Sequence, residues 1–207
     1  MLDTTLLLLF IPTFFLVSIT PGMCMTLAMT LGMSIGIRKT LWMMYGELLG
    51  VALVAIAAVI GVSAVMLEYP KIFSILKLIG ASYLLYVGIN MWRSRGKLAL
   101  NKVNNEQQAT KRLPLFNQGF ITAIANPKGW AFMVSLLPPF INPQLTLAPQ
   151  LAMLLAVIIL SEFICMMIYA TGGKTIGKVL TKGDNVKLMN KISGTLMVLV
   201  AVWLALS

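Results

Sequence analysis

Six stretches of this chain, at about 5–35, 41–66, 72–92, 116–141, 148–171 and 188–206, run apolar for long enough to cross a bilayer. A helical span needs roughly 20 such residues. Lipid offers the backbone no hydrogen-bond partners, so a chain written this way must form helices whose polar groups are satisfied internally. Only 11% of its 207 residues are charged, where a soluble domain carries about a quarter. The expected fold is a single all-α integral membrane domain of six transmembrane helices. The N-terminus lacks the basic region and small-residue cleavage pattern of a signal peptide: Asp3 is the one charge ahead of Arg38, and Ser18-Ile19-Thr20 is a poor cleavage site. The first stretch is therefore read as mature structure.

The net charge of +10 is unevenly placed. Arg38 and Lys39 follow the first stretch. Arg93, Arg95, Lys97, Lys102, Lys111 and Arg112 follow the third, and Lys174, Lys178, Lys182, Lys187 and Lys191 follow the fifth. The alternate connections hold Lys71 with Glu68, and then no Lys or Arg at all. Positive residues mark cytoplasmic loops, so both termini are expected outside. Topology accounts for the basic balance, with a contribution to lipid headgroups and no call for nucleic acid. Cys24 and Cys165 sit inside apolar stretches at a spacing that fits no disulfide or metal motif, and read as small packing residues. Histidine is absent, which removes imidazole chemistry and His-ligated metals.

Two prolines interrupt apolar stretches near their middles. Thr20-Pro21-Gly22-Met23 must kink or break the first helix, and Ala125-Asn126-Pro127-Lys128-Gly129 the fourth. Freed backbone groups at membrane depth have to be buried in protein or line a wet cavity. Phe14 precedes Pro21 by seven residues and Phe120 precedes Pro127 by seven, while Lys77-Leu78-Ile79-Gly80 is echoed by Lys191-Ile192-Ser193-Gly194. With three spans in each half, the second half enters from the opposite side. The pattern is that of two inverted three-helix repeats, about 5–92 and 116–207, whose paired broken helices place a site near the midplane. Ser94 to Pro114 is polar and basic, and reads as a cytoplasmic linker over about 93–115.

Three ionisable residues fall inside apolar stretches, where such groups are costly and need a partner or a function. Glu47 stands within Gly46-Glu47-Leu48-Leu49-Gly50, Lys128 follows Pro127 directly, and Glu162 lies well inside the fifth stretch. Glu47 could instead snorkel, being roughly 12 Å along the helix from Lys39. Lys128 could be held by a structural pairing with Glu162 or Glu47. Gly46-x3-Gly50 and Gly32-x3-Gly36 are small-residue patterns that let helices approach closely. Tyr83 and Tyr86 share a helix face, Trp92 reads as an interfacial anchor, and Leu136 to Pro143 as a rigid exit on the outer side. The 15 methionines read as adaptable packing. Gly172-Gly173-Lys174-Thr175 lacks P-loop spacing.

Over nearly its full length the chain resembles the LysE/RhtB family of bacterial amino-acid exporters. The resemblance is carried by Pro21-Gly22, Gly32 and Gly36, Gly46-Glu47-x2-Gly50 and the run Gly80 to Gly88. Phe116-Asn117-Gln118-Gly119-Phe120, Ala125-Asn126-Pro127-Lys128 and Leu137-Pro138-Pro139-Phe140-Ile141 complete it. It implies six spans in the bacterial inner membrane and proton-driven export of amino acids or their derivatives from the cytoplasm. Two positions depart from the family pattern: Met23 stands where a second proline is usual, and Pro139 where a Gln is usual. The first departure is expected to soften the break at Pro21.

The reading that follows is a secondary exporter of amino-acid-like solutes, working by proton antiport. Thr20, Pro21, Gly22, Asn126, Pro127 and Lys128 are the expected substrate-binding residues. Half-helix N–H groups would meet a carboxylate and half-helix carbonyls an ammonium. Thr20 and Asn126 would add neutral hydrogen bonds, and Lys128 would bind the carboxylate or hold an acid. Glu47, and after it Glu162, would carry the proton. No cofactor is implied, and a membrane enzyme has neither nucleophile–base pair nor metal cluster to build on. A passive channel or uniporter of the same architecture is the alternative. The small-residue faces leave a homodimer open.

Overall fold

A computed structural model describes residues 4–68, 70–93, 111–142 and 144–173, and eleven helical positions between 188 and 206. The elements are α1 (Thr4–Ser18), α2 (Met23–Ser34), α3 (Ile37–Glu68), α4 (Pro70–Arg93), α5 (Arg112–Ile124), α6 (Pro127–Leu136) and α7 (Leu147–Thr171). A 3-10 turn, Pro138–Phe140, follows α6. No strand occurs among the described residues. The linker residues 94–110, the lysines at 174–187, Pro143 and the side chains of Lys77 and Tyr83 lie outside them.

Ile37–Gly61 and Leu147–Thr171 are each long and apolar enough to cross a membrane alone. Two further spans form only if α1 with α2, bent by 58°, and α5 with α6, bent by 54°, are each taken as one. Both breaks fall at the prolines that the sequence singles out. The bend beside Met23 is no softer than the other, because the chain has already turned at Pro21 and at the extended Gly22 (φ −141°, ψ −173°) before α2 begins. Leu8, Ile60, Ile121 and Leu160 are exposed on the bundle's outside, as lipid-facing residues should be.

Glycines decide how closely the helices pack. A Cβ on Gly46 would overlap the Phe116 carbonyl oxygen, and one on Gly119 would overlap that of Met43. One on Gly50 would lie 2.7 Å from the Ala123 Cβ. Helices α3 and α5 therefore cross backbone on backbone, in the most extensive contact between any two of the helices α1 to α7. The Gly46–Gly50 face is thus occupied within the chain and does not remain free for a second copy. Gly32 packs on α7, where a Cβ would come 2.8 Å from the Ala170 Cα. Gly36 does something else: with φ +80° and nothing near it, it makes the left-handed turn from α2 into α3.

Two apolar clusters flank the middle of the bundle. One gathers Phe10, Phe14, Val54, Phe132, Phe140 and Ile158. The other is methionine-rich, with Met25, Met29, Met43, Met44 and Met166 against Tyr169. The exit after α6 is pinned by the buried Gln150: the Asn142 N–H donates to Oε1 at 2.8 Å, and Nε2 donates to the Asn142 carbonyl at 3.0 Å.

Candidate site: a buried cavity between two helix breaks

At the first break the carbonyls at the end of α1 are largely taken. Leu16 O accepts from Thr20 Oγ1 at 2.9 Å, and Val17 O accepts from the Thr20 N–H at 3.3 Å. Ile19 O accepts from the Tyr169 hydroxyl, reaching across from α7, at 2.9 Å. On the far side α2 opens with Gly22 as N-cap and no side-chain capping bond. The Gly22 carbonyl accepts from the Thr26 N–H at 2.9 Å and Oγ1 at 2.8 Å. The N–H groups of Met23, Cys24 and Met25 precede that first intrahelical bond, so the helix itself supplies them no acceptor.

The second break closes itself. Asn126 caps α6, its Oδ1 accepting from the Lys128 N–H at 3.1 Å, and Pro127 in the first turn has no N–H to satisfy. Ile121 O and Ala123 O accept from Ala125 and Asn126, and Ile124 O accepts from Trp130 Nε1 at 2.8 Å. In both breaks, then, the carbonyl four residues before the proline is taken by a backbone N–H, and another freed by the break, that of Ile19 or Ile124, is met by an aromatic donor.

Between the breaks lies a cavity of about 50 Å³. A water needs roughly 10–15 Å³, so the space suits a few waters as it stands. One wall comes from Phe14, Val17 and Ser18 of α1, another from Glu47, Val51 and Val54 of α3. Thr20, Gly22, Cys24 and Met25 face Asn126, Lys128, Gly129, Phe132 and Met133 across it, with Ala123 and Glu162 completing the lining. Helices α1, α3 and α6 each contribute residues three or four apart, the spacing of a single face.

Two acids and one amine meet there. Glu47 is 1% exposed, and its Oε2 has no hydrogen-bond partner. Glu162 accepts from Ser18 Oγ at 2.9 Å. Lys128 Nζ stands 5.8 Å from the centre of the Phe132 ring, on its face. Asn126 Nδ2 donates to Cys24 Sγ at 3.8 Å.

Six of the eight site residues expected from the sequence therefore line one cavity: Thr20, Gly22, Asn126, Lys128, Glu47 and Glu162. Pro21 shapes the break from outside the lining, and Pro127 heads α6. Glu47 does not snorkel to the surface. Thr20 and Asn126 spend their oxygens on the backbone, and the carbonyls of Leu16, Val17, Ile19 and Ile124 are already engaged. Ser18, Cys24 and Phe132 line the cavity as well, and none of them is a site residue on the sequence alone. Cys24 is buried as expected, but against a polar wall rather than in plain packing. Ser18 had a readable signal, since it falls four residues after Phe14 on the face that leads into the break.

Fold and site together define an all-helical integral membrane protein with an ionisable interior cavity. The chain belongs to the LysE type translocator family, which matches residues 15–207; it is a translocator and not an enzyme. It is 30% identical over 190 residues to the homoserine/homoserine lactone efflux protein of Salmonella typhimurium, covering 92% of this chain and 91% of that one. It is 28% identical over 188 residues to the leucine efflux protein of Enterobacter sp., covering 89% and 87%. A membrane protein of Vibrio cholerae is 27% identical over 195 residues, 94% of each chain. No solved structure matches the chain.

Proposed function

We propose that the protein exports amino acids or their derivatives from the bacterial cytoplasm across the inner membrane by proton antiport. It does so through six spans arranged as two inverted repeats, with both termini outside. The observation that carries this reading is the convergence of two helix breaks, two carboxylates and one lysine on a single buried cavity. The relatives' names, homoserine/homoserine lactone efflux and leucine efflux, supply the solute class.

Glu47 is the first candidate for the transported proton, because its unpartnered oxygen in a low-dielectric wall makes uncompensated charge expensive. Glu162 is the second and already has Ser18 as a partner. Proton and substrate competing for these acids would couple the two fluxes.

The test uses the purified protein in liposomes with an imposed pH gradient and a panel of labelled amino acids. Accumulation beyond equilibrium, abolished by a protonophore, is the expected result; simple equilibration would turn the reading to a channel or uniporter. Glu47→Gln should bring accumulation down to the equilibrium level in protein that still melts normally. Undiminished pH-driven accumulation in that variant would take the proton role away from Glu47.

A further inference from the structure

The two half-helix N-termini at the cavity are unequal, and the difference points to what the cavity holds. The N-terminus of α6 keeps only the Gly129 N–H, because Pro127 has none and Asn126 accepts from that of Lys128. That of α2 presents the N–H groups of Met23, Cys24 and Met25 behind Gly22, which has no side chain to cap them. Lys128 Nζ stands 3.7 Å from where a Cβ on Gly22 would lie, so an ammonium faces the positive end of the helix. The third atom nearest that point is the Thr20 carbonyl oxygen, at 3.9 Å, and the carboxylate whose charge Lys128 feels is that of Glu162 in the same lining. In the same cavity Glu47, 1% exposed, carries an oxygen with no partner. The cavity thus has an anion-seeking pole and a cation-seeking pole, with Val51, Phe132 and Met133 as an apolar remainder.

Gly22 is not there for its backbone. Its φ of −141° and ψ of −173° are extended values that any residue adopts. A Cβ would make only ordinary contacts, the nearest at 3.7 Å. What a side chain would change is the gap between the α2 N–H groups and Lys128.

Resting on the exporter reading, we propose that the cavity takes free α-amino acids as zwitterions, and that Gly22 reserves the place of their carboxylate. That group lies between the α2 N-terminus and Lys128, and the ammonium lies on Glu47. Esters, amides and lactones, which lack the anionic end, are excluded. A site built to bind a charged group leaves buried polar groups unpaired when an analogue lacks it.

The experiment is counterflow into liposomes holding the full-length protein, with the twenty standard amino acids and homoserine as labelled solutes. The methyl ester and amide of the best-transported solute, and homoserine lactone, are added as competitors. The free acid should outcompete its ester and amide by about a hundredfold. Gly22→Ala should raise KM for the free acid about tenfold or more with the melting temperature unchanged, the loss of one charge-assisted contact. Lys128→Gln should do the same, and Lys128→Arg should recover part of the loss. An ester, amide or lactone that competes as well as the free acid overturns the zwitterion assignment and leaves the exporter reading intact. So does an unchanged KM in Gly22→Ala. Counterflow of none of the solutes overturns the exporter reading itself, and this inference with it.

Discussion

The breaks at Pro21 and Pro127 bend their helices by nearly the same angle, 58° and 54°, yet they finish their backbones in opposite ways. Pro21 comes just before the N-cap residue Gly22, so α2 keeps the N–H of its first residue, Met23. Pro127 comes just after the N-cap residue Asn126, so the first residue of α6 has no N–H, Asn126 takes that of Lys128, and Gly129's alone is left. A shift of two positions in where proline meets the cap, with the change of cap residue, decides how many N–H groups a helix start leaves over. The carbonyl sides differ as well. Trp130 closes the second break from within α6, whereas the first depends on Tyr169 arriving from α7. One break is a self-contained joint; the other leaves donors facing the cavity.

The contrast is destroyed outright by Gly119→Ala, which drives a methyl into the Met43 carbonyl and separates the second break from α3. Unfolding in detergent should fall by about 3 kcal/mol or more, and the cavity should be lost with it. Asn126→Ala makes the two breaks more alike by opening α6. It should cost about 1 kcal/mol of stability, read as a lower melting temperature, with Asn126→Asp restoring most of it. The smallest effect belongs to Gly129→Ala. The atoms nearest its Cβ belong to Asn126, at 3.8 Å and beyond, and helix propensity should stabilise the protein by about 0.5 kcal/mol. A KM rise in Gly129→Ala as large as in Gly22→Ala would erase the functional difference between the breaks.

Much of this was legible in the residues because each signal was an expense. Proline within an apolar run, and Glu47, Lys128 and Glu162 within spans, are costly in lipid wherever they point, and all of them bear on one cavity. What could not be read was direction. Gly46-x3-Gly50 announces a close approach without naming its partner, and the partner is α5, at Phe116, Phe120 and Ala123, rather than a second chain. Gly36 belongs to a similar pattern yet makes a turn, a difference set by its φ of +80°. The bond from Ser18 to Glu162 joins residues 144 apart, a distance over which no local periodicity carries information.

The crossing of α3 and α5 has a mechanical consequence. Side chains that interlock can be repacked one rotamer at a time, so helices joined that way can slide. Here carbonyls and α-carbons meet directly at Gly46 and Gly119, and a shift along either axis would bring a neighbouring Cβ into the same contact. Gly50 repeats the contact one turn along, against Ala123 and the Phe120 carbonyl, so rotation about the first contact is resisted at the second. The crossing therefore serves as a clamp, and Glu47, whose backbone nitrogen lies 2.9 Å from where a Cβ on Gly119 would sit, is held between its jaws.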